Sequence, residues 1–337
     1  MKKKSRQQRR NQRTKNTAIG LVFALGVALV ISVVSSSGTS KVTDVTLVTH
    51  DSFVMSPELI AAFNAKSGYN LKLIKAGDAG SLTNRLILTK NSPIADAVYG
   101  IDNTFSGLAT SAGIFSGKFQ ATDYGYVCFN YDKNWFAEKK MSAPTSINDL
   151  VLPAYKNLTV IENPKTSSTG LSFLAATIDK FGASGWKPYW SSLKSNGVKV
   201  DDGWETAYYT DFSGSSGKGS YPIVLSYGSS PADEVRANGQ SQTASILDGC
   251  FRQTEYSAVL KNAHNPKGAQ AVIDFLLSSE FQKTFPATMY VYPALSGTPI
   301  PASWSSFTQI PTKTYGDKLD FNAGRKGWLA DWSAIFG

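Results

Sequence analysis

Along this chain the apolar positions change period repeatedly, and each change falls at a cluster of polar residues. "VTDVTLVTH" is a β-branched run that closes on His50, Asp51 and Ser52, the signature of a strand bounded by a turn. Ser56 then suits an N-cap, Pro57 the first helical position, and Leu59, Ala62 and Phe63 recur at helical spacing. That pattern predicts a helix over 57–67. "YNLKLIKAG" predicts the next strand, "GSLTNRLILTKN" a helix and "IADAVYGI" a third strand. "DYGYVCFNYDKNWF" opens a second series, with strands at "LTVIENP", "GVKVDDG" and "YPIVLSYGSSP" and a helix at "GLSFLAATIDKFG". "NPKGAQAVIDFLLSSEFQKTF" is a later helix with Pro266 near its start, and "SGSSGKGS" at 213–220, with neither period, is expected to be a flexible surface loop. Strands alternating with helices predict an α/β fold with a mostly parallel, helix-covered sheet.

In open α/β sheets, polar side chains at the carboxyl ends of strands line the crevice where a ligand sits. This chain offers such residues unit after unit: His50, Asp51 and Ser52; Asp78 and Ser81; Asp102 and Asn103; and Ser167, Ser168, Thr169 and Gly170. Each cluster taken singly is ordinary capping, but four on one structural edge point to a ligand. The Ser167–Gly170 turn opens a helix, where free amides and the helix dipole favour an anion such as phosphate. Trp204, Tyr208, Tyr227, Tyr290 and Tyr292 fall in similar places. Tyr292 reads as core, whereas Trp204 follows Gly203 at a strand-to-helix turn, an odd place for a core tryptophan. Aromatic faces beside carboxylates suit a flat, cationic heterocycle.

At 337 residues the chain has room for two domains, and 42% hydrophobic with 18% charged residues is a globular composition. The net charge of +9 changes meaning once it is located. Lys2, Lys3, Lys4, Arg6, Arg9, Arg10, Arg13 and Lys15 account for all but one of those charges, with no acid before Asp44. The remainder is nearly neutral, which argues against nucleic acid as a partner. The basic start leads into "TAIGLVFALGVALVISVV", an uncharged apolar run, and residues 1–40 therefore read as a signal peptide or a membrane anchor. Export is expected, to the periplasm or cell surface, with the leader either cleaved or kept as a tether. No cysteine directly follows the run, which excludes a lipid-modified one there. Cys128 and Cys250 are the two cysteines, and an even count in an exported chain points to a disulfide, against two unrelated buried thiols. The chain contains no GxSxG, HExxH, CxxC or P-loop and only two histidines, His50 and His264. His264 reads as an exposed residue, so His-dependent catalysis would have to be built on His50 alone.

Taken in order, "THDSF", "SLTNRL", "ADAVYGIDN", "DYGYVCFNYDK", "NPKTSSTGLSFL", "GWETAY", "LSYGSSPA" and "YVYP" resemble the thiamine-binding substrate-binding proteins of ABC transporters, relatives of the ferric-ion binders. The match covers essentially everything after the leader. The resemblance implies a type II periplasmic-binding-protein fold, with mixed sheets in each of two lobes and a two-strand hinge. Lobe 1 would comprise 44–122 and 252–286, and lobe 2 would comprise 123–251 and 287–337. It implies a monomer without a cofactor that closes on thiamine or its phosphates and delivers the ligand to a membrane permease. Asp78, the Ser167–Gly170 turn, Trp204, Tyr227 and Tyr290 match ligand-contacting places of the family. There are departures: His50 stands where a tyrosine is usual, Tyr290 where a tryptophan can occur, and Asp233 where an aromatic can occur. Cys128 and Cys250 fall where the chain passes between lobes, so in this fold the hinge strands would bring them side by side.

Two other readings compete. Tyr208 and Tyr209 with His50 and a carboxylate would make an oxygen-rich site for ferric iron, but Trp204 and the Ser-Ser-Thr-Gly turn have no role there. A cleft enzyme acting on a thiamine-like substrate would need a nucleophile with a base at hand, and no such pair stands out in the sequence.

Overall fold

The computed structural model describes residues 43–216 and 218–337. The expected leader therefore lies outside the described residues. The order of elements follows the hydrophobic pattern closely. Strand β1 (Thr43–Thr49) leads to helix α1 (Pro57–Ser67), β2 (Tyr69–Lys75), α2 (Ala79–Leu88), β3 (Ala97–Asp102) and α3 (Ser106–Ala112). The long β4 (Gln120–Asp132) passes to β5 (Thr159–Glu162), α4 (Ser168–Ser195), β6 (Lys199–Asp201) and β7 (Ile223–Tyr227). The longer β8 (Thr243–Val259) returns to α5 (Pro266–Leu276), the short β9 (Tyr292–Pro293) and the closing helix α6 (Phe321–Phe336).

Local chemistry sets the boundaries. The Ser56 hydroxyl accepts from the Leu59 amide, Pro57 occupies the first turn, and Gly68 closes α1 in the left-handed region at φ 74°. The predicted late helix ends sooner than its pattern implied. It stops at Leu276, and Ser278 caps a separate turn at Ser279–Gln282. Helix α4 runs past its predicted end but is broken at Gly182, where φ is 67° and ψ 179°.

All nine strands among the described residues join one hydrogen-bonded sheet in the order β2-β1-β3-β8-β4-β7-β5-β6, with β9 on β4. β1 pairs in parallel with β2 and β3 on one side, and β5 pairs in parallel with β6 and β7 on the other. Between them β4 and β8 run antiparallel over almost their whole length, with register shifts at Ala121/Asp123 and Val127/Phe129. The first end of β4 and the second end of β8 belong to the β1 half; the opposite ends belong to the β5 half. Two parallel half-sheets are thus joined through two shared antiparallel strands, which is the type II periplasmic-binding-protein architecture. At the second bulge Cys128 and Cys250 form a disulfide, with Cα atoms 4.6 Å apart.

Within the expected loop at 213–220, residues 213–216 depart from the expectation. Ser213–Ser216 forms a helical turn, the Ser213 hydroxyl donates to Asp132 Oδ2 at 2.7 Å, and the Ser215 hydroxyl donates to the Tyr208 carbonyl. Small serines leave no hydrophobic period to read, so their hydrogen bonds decide the conformation.

Candidate functional site

The parallel strands of both halves end facing one another across a cleft that holds about 620 Å³ of non-protein space, part of it open to solvent. On one wall β1 leads into His50, and the β2–α2 turn supplies Asp78. The other wall carries Ser168 and Thr169 from the start of α4, with Trp204, Tyr208 and Tyr227, and the 289–291 segment adds Tyr290. These eight are residues that sequence patterning placed at strand ends, and the fold brings them together. Asp233 and Ser52 line the same cleft.

Asp78 occupies a position between the two halves. It is the N-cap of α2, accepting from the Ala79 amide at 2.6 Å. Its carboxylate also accepts from the Ser168 amide at 3.3 Å and the Trp204 amide at 3.0 Å. Free amides of three helical starts converge on one side chain, which takes the place that a bound anion would fill. Burial raises its pKa above the usual carboxylate value, partly offset by the bond from Trp204.

The aromatic wall is built by mutual packing. Trp204 stacks on Tyr208 with ring centroids 4.8 Å apart and meets Tyr227 edge-on at 6.2 Å. The Trp204 indole donates to Ser226 Oγ at 2.9 Å, and the Tyr208 hydroxyl donates to the buried Glu234 at 3.2 Å. Trp204 is 7% exposed and packs with Ala207, Phe212 and Val224. It is therefore both a core residue and a lining residue. Tyr290 holds a left-handed backbone at φ 56°, a costly place for an aromatic residue, while its carbonyl accepts from the Ser229 hydroxyl at 2.6 Å.

The opposite wall is acidic. His50 Nε2 lies 3.4 Å from the Glu255 carboxylate. Burial alone would lower the His50 pKa, but the Glu255 charge and hydrogen bond outweigh it and the value is raised. For Glu255 burial acts upward, and the His50 charge and hydrogen bonds hold it below the usual value. Tyr99 Oη lies 2.8 Å from Glu255 and 2.5 Å from Asp123. One phenolic proton cannot serve both, and burial, then the Glu255 charge, drive the Asp123 pKa well above the usual carboxylate value.

Besides Asn103, whose side chain bonds the Arg252 carbonyl and the Thr254 amide of β8, five expected residues do not line this cleft. Asp51 Oδ1 accepts from the Gly77 amide at 3.1 Å, bracing one turn against the next. Ser81 bonds through its backbone to the Thr166 carbonyl at 3.1 Å. Asp102 accepts from the Thr104 and Phe105 amides in the turn before α3, and from Gln253 at 2.8 Å. The Ser167 hydroxyl turns to Thr169 at 2.8 Å. Gly170 lets α4 approach β5, because a Cβ there would stand 2.3 Å from the Glu162 carbonyl oxygen. All five shape the turns that carry the lining residues. Tyr292 is core as expected, stacked on Tyr124 at 5.2 Å, and His264 is exposed.

With two half-sheets, shared crossing strands and a cleft at the strand ends in place, comparison with known proteins decides the family. The family model described as bacterial extracellular solute-binding protein matches residues 95–306, more than half of the chain. The chain belongs to the bacterial extracellular solute-binding proteins.

Among curated relatives, the thiamine-binding periplasmic protein of Escherichia coli (strain K12) is 29% identical over 310 residues, covering 85% of this chain and 91% of that one. Among solved structures, a periplasmic thiamin-binding protein superposes with a TM-score of 0.78 at 26% identity, covering 89% of this chain and 98% of the other. Iron-bound HitA from Pseudomonas aeruginosa shares the fold at a TM-score of 0.69 and 20% identity, covering 87% and 99%.

For a solute-binding protein, the residues that sequence reasoning missed are instructive. Glu255 lines the cleft from the part of β8 that pairs with β3, and Ser230 and Met289 line it from turns. Ser230 Oγ lies 2.9 Å from Ser226 Oγ, continuing the chain of hydroxyls behind the Trp204 indole. The polar residues of "FRQTEY", in a long strand that both halves share, were the signal available for Glu255.

Proposed function

We propose that this protein captures thiamine or its phosphates outside the cytoplasmic membrane, as a monomer, and hands the ligand to an ABC permease. The observation that carries the reading is the composition of the cleft: stacked Trp204 and Tyr208 with Tyr227 face Asp78, Asp233 and Glu255, and no Lys or Arg among the described residues lines it. A flat thiazolium gains cation–π and carboxylate attraction there, each worth about 1–2 kcal/mol when desolvated. The names of the thiamine-binding relatives support the same ligand. A phosphate tail at the start of α4 needs the Asp78 carboxyl neutral or turned away, since that group holds the Ser168 amide.

The lobes proposed to close on the ligand are residues 44–122 with 252–286, and 123–251 with 287–337. Packing of α6 against α4 supports the second grouping, with Trp332 edge-on to Trp190 at 6.1 Å. The iron reading is weaker because the Tyr208 hydroxyl is directed to Glu234. Among the described residues no cluster of three or more His, Cys, Asp or Glu is arranged for a metal ion. We read the protein as a carrier rather than an enzyme, with His50 engaged by Glu255. No described helix is long and apolar enough to cross a membrane; attachment, if the leader is kept, would rest on residues 1–40. Tryptophan fluorescence titrated with thiamine, its two phosphate esters and iron(III) tests the reading, with saturation expected for a thiamine form and none for iron.

A further inference from the structure

Gln253 does not line the cleft, yet its side chain reaches three residues that define it or hold it. It lies in β8 with 1% exposure, opposite Gly125 of β4. Its Nε2 donates to Asp102 Oδ2 at 2.8 Å and to Ser168 Oγ at 2.9 Å, and its Oε1 accepts from the Tyr227 hydroxyl at 2.6 Å. Both amide donors and the carbonyl are engaged, and the bond to a carboxylate on one side and from a phenol on the other fixes which way the amide faces. Asp102 is itself pinned by the Thr104 and Phe105 amides in the turn before α3.

The consequence is chemical as well as geometric. Because Ser168 Oγ accepts from Gln253, its own proton is left to be donated, and Ser168 lines the cleft. Tyr227 spends its proton on Gln253 and offers the cleft its ring. Gly125 makes the ring's seat, since a Cβ there would stand 2.9 Å from Tyr227 Cδ1.

We propose that Gln253 is the positioning residue of the binding cleft, setting Ser168 as a hydrogen-bond donor to the ligand and fixing the Tyr227 ring over Gly125. It does so from a strand shared by both halves, bonding Asp102 on one side and Ser168 and Tyr227 on the other. The proposal rests on the thiamine reading.

A double-mutant cycle on the whole protein, read by calorimetric titration with thiamine, tests it. Gln253→Leu should bind thiamine about tenfold more weakly. Ser168→Ala should cost about fivefold in the native background and almost nothing beside Gln253→Leu. A merely structural role for Gln253 would lower the melting temperature and leave the Ser168→Ala effect intact. If Gln253→Leu does not fold, Gln253→Glu keeps the volume and removes the donor to Ser168, and the same loss of the Ser168→Ala effect is expected. Gly125→Ala, which leaves the Gln253 bonds to Asp102 and Ser168 in place, should weaken binding by displacing the Tyr227 ring, with the Ser168→Ala effect retained. Native affinity in the Gln253 variants, or losses that simply add, overturns the proposal. A native protein that gives no heat with thiamine overturns the functional reading, and the proposal falls with it.

Discussion

The carboxylate of Asp78 accepts the amides of Ser168 and Trp204, residues 90 and 126 positions further along the chain. One side chain of the β1 half thereby satisfies two helical starts of the β5 half. The arrangement means that the two walls of the cleft are in register before any ligand is considered.

Removing that carboxylate should therefore act on both binding and closure. Asp78→Ala is expected to weaken thiamine binding by about 1.5–3 kcal/mol, the range for hydrogen bonds to a charged group. Small-angle scattering of the ligand-free variant should give a larger radius of gyration than the native protein. Unchanged affinity and radius would mean that Asp78 only caps α2.

Trp204 makes a divided prediction. Trp204→Ala should weaken binding by about 1–3 kcal/mol through lost burial and cation–π contact. Because the ring is also core, packed with Phe212 and Val224, the melting temperature should fall as well. Trp204→Phe keeps an aromatic face and loses the bond to Ser226, so it should recover part of the affinity. Full native affinity in Trp204→Ala would exclude the stacking role.

The disulfide encloses a long loop, with a sequence separation of 122. In the chain-entropy account such a bridge stabilises by about 4–5 kcal/mol. Cys128→Ser with Cys250→Ser should lower the urea midpoint accordingly, while thiamine affinity changes little because neither cysteine lines the cleft. Alkylation without reduction, followed by mass spectrometry, should find no free thiol.

His50 gives a pH prediction whose sign is determined by its partner. Its folded pKa is raised above 6.5, so its contribution to stability is full below 6.5 and is lost as pH rises through the folded value. Glu255 is held below 4.5, so its contribution is full above 4.5 and is lost as pH falls through its folded value. The pair therefore stabilises most between about pH 4.5 and 6.5. In His50→Gln the decline above that window should disappear. Proton NMR follows the group directly, since the chain has two histidines.

Much of this site was legible because strand-to-helix turns advertise themselves. Ser56 and Pro57 marked the start of α1, and the polar residues before each helix marked the edge where His50, Asp78 and Ser168 gather. The same signal could not separate lining residues from the braces behind them. Asp102 reads like Asp78 in sequence, yet it turns inward to Thr104 and Gln253. Glu255 and Gln253 were missed because alternating polar residues in a strand read as a solvent-facing edge. Their burial follows from β8 becoming a central strand shared by both halves. Pairing of His50 with Glu255, 205 residues apart, is tertiary information that no local pattern carries.

The central claim is that the cleft is built for a flat organic cation rather than for a metal. Calorimetric titration of the protein with thiamine and, in parallel, with iron(III) tests it most directly. Saturable one-to-one heat with thiamine, weakened in Trp204→Ala and absent with iron(III), is the predicted result. No heat with thiamine, or a coloured, saturable complex with iron(III), would contradict it.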